Sequence, residues 1–166
     1  MLAKKILGLD LASNTGYALI DDNSLVVSGT KSFSGTLPKR LADFETWLVS
    51  FVKKYNPNLI VYEIPHFRGY AATMSGVGLS TTTLKIGYTL GFPVVGVRTT
   101  TLKSFATGNG KASKEEMTEK ANQSFSLNLN TKENNDEADA IHLANYGAVK
   151  WEELLNPQKK KTKKQK

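Results

Sequence analysis

The stretch KKILGLDLASNTGYALIDDNSLVVSGTKSF, residues 4–33, decides the fold. Its first seven residues form a short apolar run that ends on Asp10. Ser13, Asn14 and Gly16 then supply turn chemistry before a second strand at Tyr17–Ile20. The residues DDNS turn the chain once more, into a third strand within LVVSGTKSF. Strands joined by connections this short run antiparallel, so the chain opens with a meander.

Beyond it the hydrophobic period changes. Leu41, Phe44, Leu48, Phe51 and Val52 recur at three and four residues, which predicts a helix over 37–55 that Asn56–Pro57 stops. NLIVYEIP (58–65) is a continuous apolar strand, the pattern of a strand buried on both faces. Residues 66–78, HFRGYAATMSGVG, are rich in glycine and small side chains and read as an exposed loop. A helix over 79–91 and a second buried strand over 92–97 follow. A short helix then leads through a Gly-rich loop (108–112) to a helix over 113–125, where Ser113 and Glu116 fit a capping box. The last helix is expected from about Asn135 to Leu155. This order specifies an α/β domain with a mixed sheet covered by helices. It occupies residues 1–156, with a basic, disordered tail over 157–166.

The composition fits that size. The 166 residues are 40% hydrophobic, enough for one domain with a substantial core. With no cysteine, disulfides, thiolate chemistry and Cys-ligated zinc are excluded. No apolar run approaches the roughly 18 residues needed to cross a membrane. The apolar stretch near the N-terminus is too short for a signal peptide, so the cytoplasm is the expected location. The net charge of +7 is concentrated at the end of the chain. QKKKTKKQK holds six of the 22 Lys and Arg, leaving residues 1–157 with 16 against 15 acids. Such an arm suits either non-specific contact with nucleic-acid phosphates or simple solubilisation.

Four acids stand where sites form. Asp10 ends the first strand, Glu63 ends LIVYE, and Asp136 and Asp139 open the last helix. Acids at the ends of neighbouring strands point into one crevice. Asp136 and Asp139 lie about 60° apart on a helix, so both can face one point. Ala140, Leu143, Ala144, Gly147 and Ala148 form a small-residue face that lets this helix approach the sheet. Crowded carboxylates repel unless cations are bound. Hard oxygen ligands favour Mg²⁺ or Mn²⁺. Two such ions about 4 Å apart suit phosphodiester hydrolysis. Taken singly, Asp136 and Glu137 also read as first-turn acids, and Asp10 as a turn cap.

In this order the segments ILGLDLASNTGYALI, LIVYEIP, DEADAIHLANYG and LKSFATGNGKASKEEM resemble the RuvC family of Holliday junction resolvases, members of the ribonuclease H-like superfamily. The resemblance spans about residues 4–148 and implies a ribonuclease H-like fold. By that likeness Asp10, Glu63, Asp136 and Asp139 bind two metal ions. Lys103 and Lys114 contact DNA and assist cleavage, with Lys111 and Arg68 as further DNA contacts. The family places an aromatic residue shortly after the strand-ending Glu to engage unpaired bases. Here His66 holds that offset, and Phe67 takes the role by nearness. The resemblance further implies a homodimer that resolves four-way DNA junctions by paired nicks. The dimer surface is expected on helix 79–91 or the last helix. A short, Thr-, Asn- and Lys-rich version of the family suggests a bacteriophage or low-GC bacterial source.

Some residues have two readings. Lys103 and Lys114 also fit solvated helix faces. His142 reads as a satisfied histidine or as a neighbour of the site. Ser13 and Asn14 suit a turn or a substrate phosphate. The acids alone equally allow a related nuclease acting on flaps, forks or RNA–DNA hybrids. Actin-like and sugar-kinase ATPases share the strand–Asp–Gly turn, but need a second phosphate loop and about twice this length. A catalytically dead, structure-specific DNA-binding module has no reason to keep repelling carboxylates where DNA phosphates must approach.

Overall fold

The computed structural model of the chain describes residues 4–156. The tail expected over 157–166 lies outside them. β1 (Lys5–Asp10), β2 (Asn14–Asp21) and β3 (Ser24–Ser32) form the expected antiparallel meander. β4 (Leu59–Glu63) joins the other side of β1 in parallel, and β5 (Val94–Val97) pairs parallel with β4. The sheet order is β3-β2-β1-β4-β5.

Side-chain alternation splits the core in two. Leu7, Leu9, Leu19, Ile60 and Tyr62 face α1 (Leu37–Tyr55) and α2 (Tyr70–Leu90). Ile6, Ala18, Ile20, Leu59 and Val61 face α4 (Lys114–Phe125) and α5 (Thr131–Val149). Asp10 continues the row Ile6–Gly8, and Glu63 continues Leu59–Val61. Both acids therefore leave the sheet on the side that α5 covers.

α5 lies unusually close to β1 and β2. A Cβ on Gly8 would stand 2.1 Å from the Ala140 carbonyl oxygen and 2.5 Å from the Ala144 nitrogen. One on Gly16 would stand 1.9 Å from the Asp136 carbonyl oxygen. The small residues of α5 and the two strand glycines together permit this approach.

Three elements differ from expectation. Residues 70–78 are helical rather than a loop, so α2 runs 21 residues. Its small residues are there for packing: Ser75 and Gly76 are buried, and Gly76 lies against Pro65. Tertiary contact thus overrides weak local propensity. β5 is an edge strand on which only Val97 is buried, because among the described residues nothing pairs with its outer side. The last helix begins at Thr131, capped by the Asn130 side chain, and loses helical geometry at Asn134. Regular helix resumes at the expected start. It breaks again before α6 (Trp151–Leu155). α3 (Thr99–Thr107) and α4 match the expected helices. The capping box is present: Glu116 N–H donates to Ser113 Oγ, and Ser113 N–H to the Glu116 carboxylate.

The close approach predicts a sharp contrast in stability. Gly8→Ala sets a methyl against helix backbone and is expected to cost about 3 kcal/mol or more in urea denaturation. Gly78→Ala meets only the flexible end of Leu41. The gain of up to about 1 kcal/mol in helix propensity offsets the small shift Leu41 must make, so the midpoint should stay nearly unchanged.

Candidate active site

β1 and β4 are adjacent and parallel, with Leu9 opposite Tyr62, so Asp10 and Glu63 emerge side by side where the strands end. α5 crosses above them and lowers Asp136 and Asp139 into the same space. These four acids line one crevice of about 250 Å³, together with Ser13, Arg68, Lys114 and Asn135. They come from three segments of the chain, as their spacing predicted.

The four acids divide into two pairs. Asp10 and Asp139 are deeply set, and among the described residues neither carboxylate accepts a hydrogen bond. Burial, and then repulsion from Asp139, Glu63 and Asp136, holds the Asp10 carboxyl well above the usual carboxylate range, with Arg68 opposing. Burial pushes Asp139 up to about 7, helped by Glu63 and Asp136 and opposed by Lys103 and Lys114. The outer pair is tethered. Thr99 Oγ1 donates to Glu63 Oε1 at 2.7 Å, and Asn14 Nδ2 donates to Asp136 Oδ2 at 3.1 Å. Ser32 Oγ donates to Asn14 Oδ1 at 2.8 Å, which orients that amide.

The basic residues are distributed unevenly. Lys114 Nζ donates to Asn135 Oδ1 at 3.1 Å, which places it on the crevice wall. Arg68 lines the crevice, and its Nε bonds His66 Nε2 at 2.7 Å. Lys103 lies within electrostatic reach of Asp139 without lining the crevice. Phe67 projects beside the crevice, 80% exposed. Lys111 lies exposed in the loop between α3 and α4, outside the crevice lining. His142 turns away from the acids. It is buried, its Nε2 lies 2.8 Å from the Met117 carbonyl oxygen, and burial lowers its pKa. Asp10 does not cap the following turn; there Thr15 Oγ1 donates to the Ala12 carbonyl at 2.6 Å.

Two contributors had no strong signal in sequence. Asn14 read as a turn residue or phosphate contact, yet it holds Asp136, 122 residues away. Thr99 stood among three threonines at a helix start and carried no signal at all.

The donor set suits a hard, oxygen-binding dication: four carboxylates and no thiolate, with His142 turned away and the His66 ring on the crevice wall bonded to Arg68 Nε. Among the described residues no three acidic or histidine side chains stand as a ready-made metal cage. The carboxylates instead converge on a shared space and repel across it, and cation binding relieves that repulsion.

No family model matches the chain, and no curated protein matches its sequence. Solved structures do match. Thermus thermophilus RuvC aligns with a TM-score of 0.75, at 16% identity, over 89% of this chain and 95% of its own. The chain has the ribonuclease H-like fold of RuvC. RuvC from the same organism in complex with a Holliday junction substrate gives 0.74 at 17% identity, covering 85% and 90%. The yeast mitochondrial Holliday junction resolvase gives 0.63 at 17%, covering 84% and 75%. The likeness to RuvC is one of backbone path, and the expected sheet, antiparallel first and then parallel, is the sheet observed. Among the described residues no helix is long and apolar enough to cross a membrane.

The raised acids predict a pH effect on stability. An acid whose native pKa is raised loses stability as pH climbs from its unfolded value near 4 through its native value. In that window the unfolded chain has already released the proton that the native chain still holds. For Asp139 the loss is complete above about pH 7. In chelator, Asp139→Asn should therefore melt above wild type at pH 8, by about 5 °C, with the gap shrinking toward pH 5. Parallel melting curves across that range would remove Asp139 as the source of the strain.

Proposed function

We propose that the chain is a metal-dependent endonuclease that resolves four-way DNA junctions by paired phosphodiester hydrolysis as a homodimer. Residues 1–156 act as one nuclease domain. The observation that carries this reading is the convergence of Asp10, Glu63, Asp136 and Asp139 on one crevice, within a backbone shared with resolvases. One of those resolvases was solved on its Holliday junction.

Asp10, Glu63, Asp136 and Asp139 would hold two divalent cations, Mg²⁺ or Mn²⁺, which when bound would supply an activated water and stabilise the departing oxygen. The water oxygen bonds to phosphorus in line as the P–O3′ bond breaks, leaving a 5′-phosphate and a 3′-hydroxyl. Lys114, fixed by Asn135, holds a scissile-strand phosphate at the crevice wall, and Lys103 adds positive charge behind Asp139. Arg68 and Lys111 contact the DNA backbone. Phe67, already exposed, stacks on an unpaired base, an interaction worth about 1–3 kcal/mol.

α2 supports the homodimer. Tyr70, Met74, Val77, Leu84 and Tyr88 are all exposed and, with Thr81, follow each other at alternating four- and three-residue steps. Such a seam suits a second copy of the same helix across a two-fold axis. α5, the other candidate, uses its apolar face on the sheet.

The decisive experiment is cleavage of a labelled four-way junction beside a duplex, a flap and an RNA–DNA hybrid, with Mg²⁺ or Mn²⁺. Paired symmetric nicks are expected in the junction, abolished by chelator and reduced at least about 10³-fold by Asp139→Asn. Cleavage of the flap or hybrid alone would move the substrate and keep the chemistry. No metal-dependent cleavage of any of them would overturn the reading.

The oligomeric state gives a separate check. Wild type should sediment as a dimer, and Leu84→Glu, a charge in the middle of the seam, as a folded monomer. A wild type that is monomeric at micromolar concentration would remove the homodimer.

A further inference from the structure

Glu63 differs from the three aspartates beside it. Its carboxylate sits beyond three side-chain torsions instead of two, so its backbone fixes it least. Ordering it in the crevice costs more rotamer entropy than ordering an aspartate. Something else must hold it, and Thr99 does so, across 36 residues of sequence.

Thr99 is the first residue of α3. Thr83, Thr107 and Thr118 each bond the carbonyl four residues back in their own helices. For Thr99 that residue belongs to β5, so the helix offers no such acceptor, and its hydroxyl donates a hydrogen bond to Glu63 Oε1. The backbone makes this possible: Val97 pairs with Glu63 in the β4–β5 ladder, and Ile64 N–H donates to the Val97 carbonyl at 2.9 Å. Thr99 follows two residues later on a path already fixed against β4. Both side chains are half-buried, which limits competition from water. Among the described residues no donor reaches Glu63 Oε2.

We propose that Thr99 is a positioning residue for the active site: its hydroxyl fixes Glu63 through Oε1 and leaves Oε2 for a divalent cation. The inference rests on the metal-dependent reading above and names a residue that the acids alone do not reveal. A hydrogen bond to a ligand carboxylate sets its orientation, and losing such a bond lowers metal affinity about 10–100-fold.

The test is Mn²⁺ binding to the full chain without DNA, by calorimetry or by the electron paramagnetic resonance signal of free Mn²⁺. Thr99→Val keeps the side-chain shape and removes the donor; it is expected to weaken Mn²⁺ binding about tenfold or more. Thr99→Ser keeps the donor and should bind nearly as wild type does, with both variants melting close to wild type. Thr99→Val binding Mn²⁺ as tightly as wild type overturns the proposal, even if its melting point falls, because Thr99 would then only tie α3 to β4. Thr99→Ser failing to restore affinity overturns it as well. If Thr99→Val does not fold, Thr99→Ala against Thr99→Ser decides in the same way. A wild type that binds no Mn²⁺ fails the metal-dependent reading itself, separately from any difference among the Thr99 variants.

Discussion

The contact of α5 with β1 and β2 is the constraint on which the rest of this structure depends. Helix backbone rests against strand backbone at Gly8 and Gly16, with no room for even a methyl group. A larger residue at either position would lift the helix and carry Asp136 and Asp139 away from Asp10 and Glu63. The same approach brings Ala140 and Ala144 against β1, so one packing event builds half of the core and assembles the site. Stability and site geometry are therefore one property here, because interiors packed at crystal-like density transmit small displacements.

The site carries its own opposing force. Four carboxylates enter one crevice, and among the described residues two of them, Asp10 and Asp139, accept no hydrogen bond. Their raised pKa values express the cost of keeping charge there. The outer two are held by donors from different elements, Asn14 from the start of β2 and Thr99 from α3. Lys114, Lys103 and Arg68 offset part of the charge from the crevice wall and from just behind it. Local electrostatic cost concentrated at one point of an otherwise consistent fold is the pattern expected of a functional site.

Much of this was legible along the chain. The antiparallel opening, α1, the strand ending at Glu63, the capping box of α4 and the four acids all follow from local pattern, since period, turn chemistry and charge placement are local facts. The reading of residues 66–78 failed over most of its length. Glycine and serine signal a loop when nothing covers them, but Ser75 and Gly76 are small because α2 packs tightly there. The edge position of β5 was also hidden, because an apolar run does not reveal how many neighbours its strand has.

By itself, then, the sequence determined the elements, their order, and four acids placed where adjacent strands and one helix begin or end. Alternation along β1 and β4 even sets which side of the sheet Asp10 and Glu63 take. Only the tertiary structure decided that Gly8 and Gly16 admit α5, that Phe67 and Lys111 stand outside the crevice, and that Asn14 and Thr99 hold the outer carboxylates. Those outcomes depend on distances between segments 36 to 136 residues apart. A hydroxyl or an amide has no partner until the fold brings one within about 3 Å.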